Sequence, residues 1–301
     1  MLKIEVNYSE RIDKYITNNS EITRNDAQAL IAEGAVSVDG VKINKNKFVV
    51  NEGQVIEIEK LIDKQVNIEA QDLPIQIIYE DDYLLVINKK SGMVTHPAPG
   101  NYKDTLVNAL MYHFKNNLSN ENGLNRLGIV HRLDKDTSGL MLVAKDNQTH
   151  RFLAAQLKDH KINRRYLAIV DGVIENKITN IDLPIGRDPK NRQKMAVTKQ
   201  NSKPAQTKVT VLEYVKIREQ EKTLVECELK TGRTHQIRVH LSYIGHPVYG
   251  DPVYGKDIDH FKQRLHAYKI SFTHPNGQYM EFEEPMPWKM DKDIRLKGYD
   301  E

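Results

Sequence analysis

Residues 131–140 read HRLDKDTSGL, the densest run of reactive side chains in the chain. His131, Arg132, Asp134, Lys135 and Asp136 stand just ahead of Gly139 and an apolar stretch at 140–144. A polar loop that delivers a carboxylate and cations to the end of a rigid element is where catalytic groups are usually held. A solvated turn, locally capped by Asp136 or Thr137, explains the same run equally well from local chemistry alone. Residues 231–240, TGRTHQIRVH, form the second candidate. Gly232 permits a tight strand exit, and Arg233 offers a planar fork for a carboxylate or phosphate. On spacing alone a helix start with surface Arg and His is the stronger reading of it. The third candidate is residues 187–208, with seven Lys and Arg against one Asp. Cations spread through a polar loop between strands suit a phosphate backbone, or a merely solvated loop. A metal site is the weakest reading. His96, His131, His235, His240 and Asp134 are suitable ligand types, but no His-x-x-x-His pair with a nearby Glu is present.

These groups must be positioned by a chain of 301 residues, long enough for about two domains. The single cysteine, Cys227, excludes an intrachain disulfide framework and a multi-cysteine zinc site. The apolar run at 84–87 is far short of a membrane helix, and residues 1–14 have no signal-peptide core, so a cytoplasmic protein without membrane attachment is expected. A net charge of +3 says little by itself. Residues 1–70 carry −3 and residues 71–301 carry +6, and residues 187–208 alone account for that +6. The shift supports a boundary near residues 60–74, and the expected layout is a domain at 1–60, a linker at 61–73 and a domain at 74–301.

The first part reads as a small α+β unit. A short helix at 13–18 and a second one opened by a capping box at 23–26 precede a hairpin turned at Asp39-Gly40 and a strand at 54–59. Ala27, Leu30 and Ile31 give the second helix an apolar face, and Gly34 is a plausible stop. The second part mixes hairpins and helices without a βαβ rhythm. Strands are expected at 75–79, 83–88, 140–144, 166–170, 209–215, 223–230 and 265–272, and helices at 105–114, 147–160 and 235–244. The fold class is α+β with a mixed, mainly antiparallel sheet.

Taken together, these runs resemble the RluA family of RNA pseudouridine synthases. Residues 131–140 resemble its catalytic motif. Asn88-Lys89-Lys90-Ser91-Gly92-Met93 with His96-Pro97 is similar to its first motif, Lys90 standing where the family usually has Pro. Arg165-Tyr166-Leu167-Ala168 resembles its tyrosine motif. Pro184-Ile185-Gly186-Arg187 with Arg192 and residues 195–197, the run 229–238, Gly250-Asp251 with Tyr254-Gly255, and Leu265-His266-Ala267 with His274-Pro275 follow in family order. The match covers residues 74–287. Residues 11–40 are similar to an S4 RNA-binding domain, a looser pattern. This layout resembles the large-ribosomal-subunit synthases of the C and D types, and the D type, acting on 23S ribosomal RNA, is the expectation.

The resemblance implies that Asp134 is the essential carboxylate, that Arg233 is its ion-pair partner, and that Tyr166 packs on the uracil and helps remove the C5 proton. It implies that Arg132 fills the space of a flipped base. Leu229, beside Val225 and Cys227 on one strand face, is expected to wall the base pocket, His131 to organise the substrate loop, and Lys89 to sit at the substrate. Phosphate contacts are expected from Arg24, Lys42, Lys45 and Lys47 in the first unit, and from Arg187, Lys190, Arg192 and Lys194 in the basic loop. The chemistry needs no metal and no cofactor. The expected partner is RNA, 23S ribosomal RNA or a large-subunit precursor, met by a monomer.

Overall fold

Two units make up the chain, Met1–Val66 and Asn67–Glu301. The computed structural model describes residues 2–20, 22, 24–59, 68–98, 100–115, 117–191 and 194–287. In the first unit, β1 (Leu2–Glu5), β2 (Glu10–Arg11), α1 (Ile12–Asn18), α2 (Arg24–Ala32), β3 (Val36–Val38), β4 (Val41–Lys42), β5 (Val49–Val50) and β6 (Val55–Ile58) follow in order. Ile12, Tyr15 and Ile16 on α1 meet Ala27, Leu30 and Ile31 on α2, all buried at helical spacing, over a sheet ordered β1-β6-β3-β4. The hairpin turn forms at Asp39-Gly40, with φ of +50° and +80°, a conformation those two residue types tolerate. Thr23, the expected cap of α2, lies outside the described residues.

Asp13 is fully buried in this unit and collects donors. It accepts from Arg11 Nε and Nη2 at 3.2 and 3.0 Å, from Arg24 Nε at 3.2 Å and from Gln28 Nε2 at 2.8 Å. Burial opposes its charge, but those donors outweigh burial and hold the carboxyl below its ordinary range. Arg24, expected at an RNA phosphate, therefore commits its Nε to the helix pair.

The second unit comprises β7 (Gln76–Glu80), β8 (Leu84–Lys89), α3 (Leu106–Phe114), β9 (Ser138–Ala144), α4 (Asn147–Lys158), β10 (Asn163–Asp171), β11 (Ile178–Asp182), β12 (Ile185–Arg187), β13 (Met195–Val197), β14 (Gln206–Ile217), β15 (Gln220–Leu229), α5 (Gln236–Tyr243), β16 (Leu265–Thr273) and β17 (Tyr279–Glu283). Among the described residues a nine-stranded sheet runs β11-β14-β15-β10-β16-β9-β8-β7, with β17 also paired to β16. All pairings in it are antiparallel except β16 with β9, so the sheet is mixed and mainly antiparallel. Every residue of β9 is buried, which is why its sequence reads as an unbroken apolar run rather than an alternation. Residues 68–73, expected to be linker, are held against α3. Asn108 Nδ2 donates to Glu69 O at 2.8 Å, and Gln71 N–H donates to Asn108 O at 3.0 Å.

The parallel pair brings the candidate loop and β16 together. Gly139 sits opposite Ala267 with φ of +120°, and a Cβ there would lie 2.3 Å from Ala267 O. Only glycine permits that approach. The basic segment 187–208 is also more ordered than a loop. β12 and β13 form a two-stranded ribbon off the main sheet, and β14 begins at Gln206. Those strands are too short to show a sequence period.

Candidate active site

The loop ahead of β9 hangs from the segment that follows β8. Thr95 Oγ1 donates to Leu133 O at 2.8 Å, Gly92 N–H to Lys135 O at 3.0 Å and Ser91 Oγ to Asp136 O at 2.9 Å. Lys89 completes the set. Its side chain is 1% exposed, and Nζ donates to Lys90 O at 3.0 Å, Met93 O at 2.8 Å and Lys135 O at 3.0 Å. Burial lowers its pKa to about 7, with Asp134 and Asp136 opposing the shift. Lys89 was expected at the substrate. Its three protons are instead spent on backbone carbonyls, so it is a tie beneath the loop.

His131 likewise serves the scaffold. Its Nε2 accepts Leu142 N–H at 3.0 Å, which leaves the proton on a buried Nδ1 that has no acceptor. Burial, then the charge of Arg164, pushes it down to about 3, so it stays neutral. Its Nε2 thus ties the start of the loop to the β9 backbone, and His131 also lines the cleft. Arg132 is exposed, with Nη1 3.4 Å from His96 Nε2.

Asp134 meets its cation from α5. Arg238 Nη1 donates to Asp134 Oδ2 at 2.9 Å. The other side of the same guanidinium grips Asp251, Nε to Oδ2 at 2.6 Å and Nη2 to Oδ1 at 2.9 Å. Asp251 is fully buried and also accepts the N–H groups of Val253 and Tyr254. Burial opposes the charge on Arg238, but the two carboxylates outweigh it and hold the guanidinium protonated. The ion pair expected from Arg233 is thus made by Arg238. Arg233 Nε donates to Pro204 O at 2.9 Å, because Gln236 folds the turn that way. Gln236 Oε1 accepts Thr231 O–H at 2.8 Å and Arg233 N–H at 2.9 Å, and Nε2 donates to Gln206 O and Thr207 Oγ1.

His235 heads α5 in the left-handed conformation, with φ of +56°. That turns its ring toward Tyr254, whose Oη is 2.9 Å from Nδ1, and leaves Nε2 3.9 Å from Asp134 Oδ1. Tyr254 Oη also accepts Met195 N–H at 3.0 Å, and its ring lies under the Arg238 guanidinium at 5.1 Å. Lys194 Nζ donates to Val253 O at 2.7 Å. Lys194, expected on RNA, therefore ties the β12–β13 ribbon to the segment that carries Asp251 and Tyr254.

These elements enclose a cleft of about 350 Å³. Its apolar lining includes Leu133, Tyr166, Leu229, Ile237 and Leu265, and Asp134 lines it with them. Tyr166 is 5% exposed and its hydroxyl has no hydrogen-bond partner among the described residues. Burial pushes the phenol above its ordinary value, with Arg164 opposing and Asp134 and Cys227 reinforcing the shift. Arg132, Lys158, Arg164 and Arg233 line the same cleft, so its charged groups are mostly cations. A held carboxylate beside apolar side chains suits reaction at a carbon that gains positive charge.

The remaining expected RNA contacts are scattered. Lys45 and Lys47 are exposed on the first unit, and exposed Lys42 lies 3.5 Å from Glu59. Arg187 and Lys190 are exposed on the second unit, and Arg192 lies outside the described residues. Sequence reasoning missed Arg238, Asp251 and Arg164. The signal for Arg238 was present, since it belongs to the same run, 229–238, as Arg233 and carries the same planar guanidinium.

Residues 83–243 match the RNA pseudouridylate synthase family, and residues 10–56 match the S4 domain. The chain is 46% identical, over 94% of its length, to an uncharacterized RNA pseudouridine synthase of Bacillus subtilis, of which it covers 92%. It is 42% identical, over 93% of its length, to the ribosomal large subunit pseudouridine synthase D of Zymomonas mobilis, of which it covers 91%. Among solved structures it is similar to human RNA pseudouridylate synthase domain containing 1, with a TM-score of 0.64 and 27% identity over 76% of this chain and 93% of that one.

Proposed function

Because the chain belongs to the RNA pseudouridylate synthase family and is an RNA pseudouridine synthase with an N-terminal S4 domain, we propose that it isomerises specific uridines of 23S ribosomal RNA with Asp134 as the catalytic carboxylate. Support for the ribosomal substrate comes from relatives named ribosomal large subunit pseudouridine synthase D, several of them about 40% identical to this chain over most of its length. Support for Asp134 comes from one observation: it is the carboxylate that lines the cleft, fixed by Arg238 among apolar side chains.

The reaction breaks the bond between C1′ and N1, turns the uracil, and joins C1′ to C5. Overall a proton leaves C5 and one arrives at N1, so nothing is oxidised or hydrolysed. The target base must leave its stack to reach the cleft. Arg132, exposed at the rim, is placed to stack in the vacated space. Asp134 supplies negative charge at the sugar as C1′–N1 breaks. Arg238 fixes the direction of that carboxylate, and Asp251 fixes Arg238. Leu229 and Tyr166 hold the detached ring in a dry space where it turns without escaping. The buried phenol of Tyr166 keeps its proton at neutral pH, so its part is to pack on the ring and donate rather than to act as the resting base. A monomer is the reading proposed. No helix among the described residues is long and apolar enough to cross a membrane, and a cytoplasmic enzyme acting on ribosomal RNA is the reading proposed.

Mapping pseudouridine across total RNA from a strain lacking the gene tests the substrate. A small set of 23S positions should lose the modification, and the intact gene should restore them. Loss confined to transfer RNA would refute the ribosomal reading.

A further inference from the structure

Arg164 and Arg165 are neighbours on β10 and face opposite ways. Arg165 lies on the face away from the cleft, where its Nη1 is 3.5 Å from Glu226 and its Nη2 is 4.0 Å from Glu228. Arg164 lines the cleft beside Tyr166 and Asp134. Among the described residues no carboxylate pairs with it. Both arginines have a buried Nε without an acceptor, so the contrast between them is one of charge. One guanidinium is compensated by two glutamates and the other by none. An uncompensated, partly desolvated cation is costly unless a ligand supplies the missing anion.

The surroundings make room for it. Gly232 leaves the space that the guanidinium occupies, since a Cβ there would lie 2.8 Å from Arg164 Nη1. The carboxylate of the cleft cannot serve. Asp134 is taken by Arg238, and Arg238 by Asp251 as well. A uridine within RNA carries its negative charge on phosphate alone. The uracil carbonyls are neutral acceptors and would leave the charge of Arg164 unanswered.

We propose that Arg164 receives a phosphate oxygen of the RNA backbone next to the flipped uridine, and so sets the depth to which the nucleotide enters the cleft. This inference rests on the reading of the Asp134 cleft as the uridine site. Arg164 acts on position, since the reacting carbons are C1′ and C5 of the nucleotide and the charge that serves them is that of Asp134.

The test compares Arg164→Gln, Arg164→Lys, Gly232→Ala and Arg165→Gln. Dissociation constants for a 23S transcript are measured over a KCl series, each change being placed in an Asp134→Asn background to prevent turnover. Rates are measured with active enzyme. Loss of one phosphate contact should lower the slope of log K against log[KCl] by about 1 in Arg164→Gln and lower kcat/KM by about 30-fold. Arg164→Lys should restore the slope but only part of the rate, because a point charge lacks the planar fork. Gly232→Ala keeps the charge and displaces the guanidinium, so it should lower kcat/KM in the same direction. Arg165→Gln should leave the slope unchanged. An unchanged slope in Arg164→Gln overturns the proposal, and a rate loss with that unchanged slope would assign Arg164 to a uracil carbonyl. If the unaltered enzyme forms no pseudouridine in the transcript, the ribosomal reading fails rather than this one. The same series is then run on the RNA fraction that the enzyme does modify.

Discussion

Asp134→Asn should lower the rate of pseudouridine formation by at least about four orders of magnitude while leaving the fold and RNA affinity nearly unchanged. Asparagine matches the shape of aspartate and its Oδ1 can still accept from Arg238, so the loop and α5 keep their places. What disappears is the negative charge at the sugar. No neighbour can replace it: Asp251 is fully buried and closed on both oxygens by Arg238 and by the backbone N–H groups of Val253 and Tyr254. Asp136 belongs to the same loop, but its backbone carbonyl is held by Ser91 and it is not among the residues lining the cleft. Single-turnover assay of the purified variant, with binding measured separately, checks the result. Residual activity within tenfold of the unaltered enzyme would show that the reaction does not run through Asp134.

The second large effect separates two arginines of one motif. Arg238→Met should lower the rate by about 10²- to 10³-fold and destabilise the second unit by about 3 kcal/mol, because it strands Asp251 and Asp134 together without their cation. Arg238→Lys should recover only part of either loss. One ammonium cannot make the paired bonds to Asp251 and reach Asp134 at the same time. Arg233→Met should cost less than about tenfold, since its Nε serves only the Pro204 carbonyl, in an exposed hydrogen bond. Thermal melts and single-turnover rates of the three variants check the order. Equal damage from Arg233→Met and Arg238→Met would mean that the ion pair seen here is not the one that matters in catalysis.

Elements with a strong period or an uninterrupted apolar run were legible. β9 reads as Leu140-Met141-Leu142-Val143-Ala144 because both of its faces are covered. α2 reads through Ala27, Leu30 and Ile31, and the first hairpin through Asp39-Gly40. β12, β13 and β17 were missed, since three to five residues at an edge or in a ribbon are too few to show alternation. In the site, Asp134, Tyr166 and Leu229 do come together at one cleft. Arg233 and Lys89 were misplaced for a common reason. Residue type says what a cation can bind, but only the packing says which acceptor reaches it first. For Arg233 the turn made by Gln236 decided, and for Lys89 the carbonyls of Lys90, Met93 and Lys135 did. Arg164 was passed over because a basic residue beside Arg165 looks like one more surface charge until the two are seen on opposite faces of β10.

Lys89 sets an alkaline boundary on the precision of the catalytic loop. With its pKa lowered to about 7, the ammonium is intact in mildly acidic solution and holds all three carbonyls. Above that pH it becomes an amine with two N–H groups, and one of the carbonyls must let go. The unfolded chain keeps the proton up to the ordinary value of 10.5. Between about 7 and 10.5 the unfolded state therefore holds a proton on this lysine that the folded one has lost, and the contribution of Lys89 to stability rises with pH. The loop slackens while this same group makes the molecule harder to unfold. Alkaline decline of this enzyme would then be a loss of aim at Asp134, invisible to any measurement that reads only whether the protein is folded.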